Sequence, residues 1–146
     1  RYPHFNREAL ATAIERSERR YVWLKALGGR RRSPEDIESP NGAWRHPAFR
    51  AYADYMMTPA FGQGIGALER LAHEARTAIM CSEAVYWRCH RRLVSDWLVA
   101  HGTPVLHIMG PGALRPHEMT PEAVLRPDGL LIYPADASGG SQMHLF

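Results

Sequence analysis

Apolar side chains recur along this chain at helical spacing in four places and as short continuous runs in four others. Leu10, Ala13, Ile14 and Ser17 lie on one helical face with Arg and Glu between them, and Asn6 stands where an N-cap belongs. Pro47 opens a second helix whose Phe49, Tyr52, Ala53 and Met56 form an i, i+3, i+4, i+7 stripe. Thr58-Pro59 starts a third, with Phe61, Ile65, Leu68 and Leu71 on one face. Gly62, Gly64 and Gly66 inside it signal either a weakened helix or close packing. Leu93, Val94, Trp97 and Leu98 predict the strongest helix, closed by His101 and Gly102. Thr120-Pro121 predicts a short fifth one.

The continuous runs read as strands: Tyr21-Val22-Trp23-Leu24 running into the Gly28-Gly29 turn, Thr77-Ala78-Ile79-Met80, Val105 to Met109, and Leu130 to Tyr133. Residues 30–44, with Arg30-Arg31-Arg32, two Ser-Pro pairs and Asn41-Gly42, form a long loop of the kind that carries function. Strands at 77–80 and 105–109 flanking one helix make a βαβ unit. The pattern therefore predicts a single α/β domain over 1–146, a mostly parallel sheet flanked by helices, Rossmann-like in the broad sense.

Composition bounds the reading. The 146 residues are 45% hydrophobic and 23% charged, which suits one globular domain and excludes disordered and collagen-like chains. No run is long enough for a membrane helix and no secretory leader opens the chain, so a soluble, cytoplasmic protein is expected. Two cysteines make no disulfide framework. Net charge is +3, yet of 18 basic residues only Lys25 is a lysine. Arginine forks suit phosphate or carboxylate, so an anionic small molecule or a nucleic acid is the expected partner; a codon bias toward Arg is the plain alternative.

The densest chemistry is Met80-Cys81-Ser82-Glu83-Ala84-Val85-Tyr86-Trp87-Arg88-Cys89-His90-Arg91-Arg92. A thiol between a strand end and a helix start feels the helix dipole and nearby guanidinium groups, which raise its thiolate fraction. Three readings stay open. Either cysteine is a nucleophile assisted by His90 and Glu83. Alternatively Cys81, Cys89 and His90 hold a metal, one ligand short of a closed site. In the third, the cysteines are inert packing and the arginines alone bind phosphate.

Met-Cys-x-Glu followed by Cys-His-Arg-Arg resembles the signature of the bacterial and archaeal domain-of-unknown-function family 488. Phe5-Asn6 with Leu10, Tyr21 with Leu27-Gly28-Gly29-Arg30, Phe49 with Tyr52-Ala53-Asp54-Tyr55-Met56, Val105, His107-Ile108, His117 and Leu145-Phe146 fit it as well. The resemblance implies functional positions at Cys81, Glu83, Cys89, His90 and Arg91, and brings no reaction with it. Members of that family usually begin with a β-α-β segment carrying a further candidate His and Asp, and this sequence starts after that point of the pattern, so the segment is expected to be missing from the α/β domain.

Other candidates are weaker. Leu27-Gly28-Gly29-Arg30-Arg31-Arg32 is either a phosphate nest or a solvated turn. His107 lies in a strand, where a satisfied structural histidine is the plain alternative, and His117 lies in a loop. Trp87 is the one tryptophan placed for ligand stacking, whereas Trp97 belongs to a helix's apolar face. Asp54 and Tyr55 fall off their helix's stripe, on a face expected to be solvated. His4, His46, His73 and His144 carry no such spacing. The preferred reading is a thiol-assisted enzyme acting on a nucleotide or nucleic acid. Cys81 is its nucleophile, Cys89 its second thiol, His90 with Glu83 its acid/base pair, and Arg30, Arg31, Arg88 and Arg91 its anion clamp. Trp87, His107 and His117 are further ligand contacts. It needs no cofactor. The rivals are a nucleotide or nucleic-acid binding module and the metal site.

Overall fold

Helix signals in the sequence lead to helices in the structure, a computed structural model that describes residues 2–137. Arg1, His144 and the pair Leu145-Phe146 lie outside the described residues. Helix α1 spans Arg7–Arg16, and the Asn6 side chain accepts from the Glu8 N–H at its start. Helix α2 spans Pro47–Tyr55, capped by His46, and α3 spans Pro59–Glu74, capped by Thr58. Helix α4 spans Arg91–Ala100 and stops at His101-Gly102, where Gly102 has φ +89°. Tyr52, Ala53 and Met56 of α2, Phe61, Ile65 and Leu68 of α3, and Leu93, Val94 and Leu98 of α4 form one buried cluster with Leu27, Leu131 and Tyr133. No helix among the described residues is long and apolar enough to cross a membrane.

The sheet is where the sequence expectation is corrected. The described residues hold no parallel sheet. They hold two antiparallel pairs, β1 (Leu106–Gly110) with β2 (Ala113–Pro116), and β3 (Val124–Leu125) with β4 (Leu131–Ile132). A Rossmann-like architecture is therefore not what this structure has. The physical reason lies in what each apolar run meets. The run at 105–109 folds back through Pro111-Gly112 onto its sequence neighbour, which closes a far shorter loop than a parallel crossover would. Residues 76–80 make no backbone-to-backbone hydrogen bonds among the described residues, so that run forms no strand.

The run at 21–24 leads instead into a 3-10 turn, Lys25–Leu27. Side chains hold that turn: Tyr52 Oη donates to Leu27 O at 2.9 Å and Tyr55 Oη to Ala26 O at 2.6 Å. The helix expected from Thr120-Pro121 is a turn leading into β3. The Thr120 N–H goes to Asp96 and its hydroxyl accepts from Arg92 Nε, so neither is free to cap a helix.

Loop 30–44 is organised by Asp54. Its carboxylate accepts from Ser33 Oγ, Ser39 Oγ and Asn41 Nδ2. Buried Asn41 in turn accepts from the Tyr133 N–H at 2.9 Å, tying the loop to the segment after β4. Asp54 thus faces the loop, and Tyr55 faces the 3-10 turn, on the side of α2 expected to be solvated.

Candidate functional site

The chain reaches the site through bends at 82–85 and a 3-10 turn, Tyr86–Arg88, just ahead of Cys89 and His90. This geometry brings Cys81 back beside Cys89. The two Sγ atoms and one ring nitrogen of His90 all lie within 4.8 Å of one another. Cys81 is half-buried and Cys89 is buried, and both are free thiols.

Cys89 sits at the amino end of α4, where backbone N–H groups lack helical partners. The Arg91 N–H donates to Cys89 Sγ at 3.4 Å, and Arg91 Nε donates to the same sulfur at 3.0 Å. The other arm of Arg91 donates to the Glu83 carbonyl, fixing the loop between the thiols. Cys89 S–H can then donate onward to Cys81 while its sulfur receives from Arg91. Hydrogen bonds from Cys89, from His90 and from the Glu83 N–H hold Cys81 well below the ordinary thiol range, against the opposing effect of burial. The proton shared with Cys81, together with burial, pushes Cys89 up, although Arg91 pulls the other way. The pair keeps one proton between two sulfurs and titrates as a unit.

His90 is positioned from behind. Gly29 packs against its imidazole, and a Cβ there would stand 2.8 Å from the ring's Cγ. The ring of Tyr52 lies across it, centroids 5.2 Å apart. Gly29 therefore acts as a close-approach surface for His90.

The other candidates fall in three places. Arg31 has its guanidinium on Lys25 O, Ala26 O and Gly28 O and over the Tyr55 ring, which spends its donors on the 3-10 turn. Arg30 and Arg88 are exposed, and their guanidinium groups make no hydrogen bond or ion pair among the described residues. The Glu83 carboxylate is likewise exposed; its backbone, not its side chain, meets the thiol site. Trp87 is exposed, edge-on to Tyr86 at 5.2 Å.

His107 and His117 form a second cluster, both buried, joined Nε2 to Nδ1 at 2.8 Å. His117 Nε2 donates to Asp96 Oδ1 at 2.7 Å, and Tyr133 Oη donates to Asp96 Oδ2 at 2.9 Å. The sequence reading missed Asp96. A signal was available: Asp96 lies three residues after Leu93, so a charge sits on the apolar face of the strongest helix.

No curated protein matches this chain, and no solved structure matches it. A family model described as "Domain of unknown function DUF488" matches residues 1–98. That span holds Cys81, Glu83, Cys89, His90, Arg91 and Asp96, while His107 and His117 lie beyond it. With about two thirds of its length covered by that model, the chain belongs to the DUF488 family.

Proposed function

We propose that the protein is a thiol-dependent enzyme in which Cys81 is the nucleophile. The observation that carries this reading is the convergence of Cys81 Sγ, Cys89 Sγ and a His90 ring nitrogen within 4.8 Å, with Arg91 bound to Cys89 from behind. Cys81 is the more accessible sulfur and the one held as thiolate. It attacks an electrophilic centre, an S–X bond forms, and the leaving group departs with a proton supplied by His90 or by the Cys89 thiol. Water then attacks that centre, giving its proton to the group that had protonated the leaving group, and the S–X bond breaks to release the product and restore the thiolate. A phosphate-bearing substrate, nucleotide or nucleic acid, fits the exposed guanidinium groups of Arg30 and Arg88, with Trp87 offering a stacking face and Glu83 a carboxylate.

The test is alkylation of each thiol as a function of pH on the folded protein, resolved by peptide mass. Cys81 is expected to react at a nearly constant rate from about pH 6 to about pH 8, with Cys89 spared. Two thiols that titrate together near the ordinary value of about 8.5, or that react only after unfolding, overturn the reading. Replacing both by Ser separates catalysis from binding, because a binding module keeps its nucleotide affinity without them.

The same three donors favour a second reading, a metal site. Cys sulfur and His nitrogen are zinc ligands, and three protein ligands leave one position open for water or substrate. Arg91 N–H groups on Cys89 sulfur are the outer contacts such a thiolate uses. Stoichiometric metal in protein purified without chelator, with Cys81 protected from alkylation until the metal is removed, selects this reading.

A further inference from the structure

The Asp96 cluster has chemistry of its own. The side chains of Asp96 and His117 are fully buried. The carboxylate receives His117 Nε2–H and the Thr120 N–H on Oδ1, at 2.7 and 2.9 Å, and Tyr133 O–H on Oδ2. Every contact to it is a donor, which is the environment of an ionised carboxylate. His117 Nε2 must therefore carry hydrogen. The His117 Nδ1 to His107 Nε2 bond needs one proton more, which either ring can supply. His107 Nδ1 has no hydrogen-bond partner among the described residues and is not sealed from solvent. The chain of groups thus opens to the surface at one nitrogen.

We propose that Asp96, His117 and His107 form a buried proton relay beside the thiol site, in which a proton taken up at His107 Nδ1 comes to rest as charge on His117. A proton binds His107 Nδ1, the Nε2 proton of His107 passes to His117 Nδ1, and His107 is left neutral in its other tautomer. His117 becomes an imidazolium paired with the Asp96 carboxylate.

The surroundings favour that resting place. His107 faces Tyr86, whose ring is stacked on it at 3.5 Å, together with Arg91, Arg115 and His117. Burial first, then the charges of His117, Arg91 and Arg115, keep a second proton off His107 until about pH 4. His117 faces Asp96, His107 and the edge of Tyr86. Around Asp96 lie Tyr133, Thr120 and, through the Thr120 hydroxyl, Arg92.

One contact and one charge connect the relay to the thiols. The Cys89 N–H donates to the carbonyl of Tyr86, whose ring is stacked on His107, and Arg91, bonded to Cys89 Sγ, acts on His107 through its charge. That the relay serves the thiol site rests on the proposed function; the relay itself does not. In this arrangement His107 and His117 exchange the proton, while Asp96 is a positioning residue.

Nitrogen-15 NMR of histidine-labelled wild-type protein reads both rings directly. On acidification, His117 is expected to become doubly protonated first, while His107 stays neutral and its proton moves from Nε2 to Nδ1. His107 turning to imidazolium first, or neither ring changing before about pH 4, overturns the relay. Asp96→Asn keeps the shape and removes the counter-charge, so proton affinity at His117 should fall about tenfold or more. Unchanged affinity in that variant overturns the role given to Asp96. If Asp96→Asn does not fold, the wild-type spectra still decide.

Coupling is read from Cys81 alkylation. The wild-type profile should show a second inflection, of about twofold or more, at the pH where His117 charges, absent in His107→Gln. Identical profiles overturn the coupling. An unreactive Cys81 with moving tautomers overturns the thiol reading and leaves the relay standing. A reactive Cys81 with fixed tautomers does the reverse.

Discussion

Gly29 lies flat against the imidazole of His90, leaving no room for a side chain between the 3-10 turn and the thiol site. Gly29→Ala must therefore displace the ring from its place beside the sulfurs, at an overpacking cost of about 1–3 kcal/mol. The expected result is slower alkylation of Cys81 near neutral pH together with a lower urea midpoint. Gly28→Ala is the control. A Cβ there meets Lys25 O at 3.2 Å and Arg31 Nη2 at 4.0 Å, neither of them part of His90, and the backbone at Gly28 has an ordinary φ of −59°. It should leave Cys81 reactivity in place.

Cys89 matters through the hydrogen bond it gives. Removing that donor in Cys89→Ala deprives the Cys81 thiolate of the largest contribution holding it low. The ratio of Cys81 alkylation at about pH 6 to that at about pH 9 should fall about tenfold, one pKa unit being a factor of ten. Arg91→Met should act in the same direction more weakly, because Arg91 acts through Cys89.

Acid stability should show the histidine cluster. The His107 pKa falls to about 4 in the folded protein, by burial first, and an unfolded imidazole has about 6.5. Between those values the unfolded chain binds more protons, so stability is full above the unfolded value and declines as pH falls toward about 4. Urea unfolding across that window should show the decline, and His107→Gln should flatten it.

Two glycines of α3 should respond with opposite signs. A Cβ at Gly62 meets nothing within 4 Å, so Gly62→Ala should stabilise by about 0.5–1 kcal/mol through helix propensity. A Cβ at Gly64 would stand 2.9 Å from Ala26 Cβ and Leu27 Cδ2, and Gly64→Ala should destabilise by about 1–3 kcal/mol. Thermal unfolding of the pair checks both.

Sequence by itself determined the helices. The stripes of α2, α3 and α4, the Asn6 and Thr58 caps and the Gly102 stop all rest on side chains one or two turns apart, so the chain carries them locally. It also pointed to the segment from Met80 to Arg92, because thiols, a histidine and arginines crowd thirteen positions there. Tertiary structure decided the rest. An apolar run such as 77–80 or 105–109 has no marker for its partner, and pairing went to the nearest antiparallel neighbour. Spacing could not say whether adjacent Cys89 and His90 converge with Cys81, nor that Gly29 sets the position of His90. Asp96, His117, His107 and Tyr133 are spread over 38 positions, and only a folded core, where every buried polar atom needs a partner, joins them.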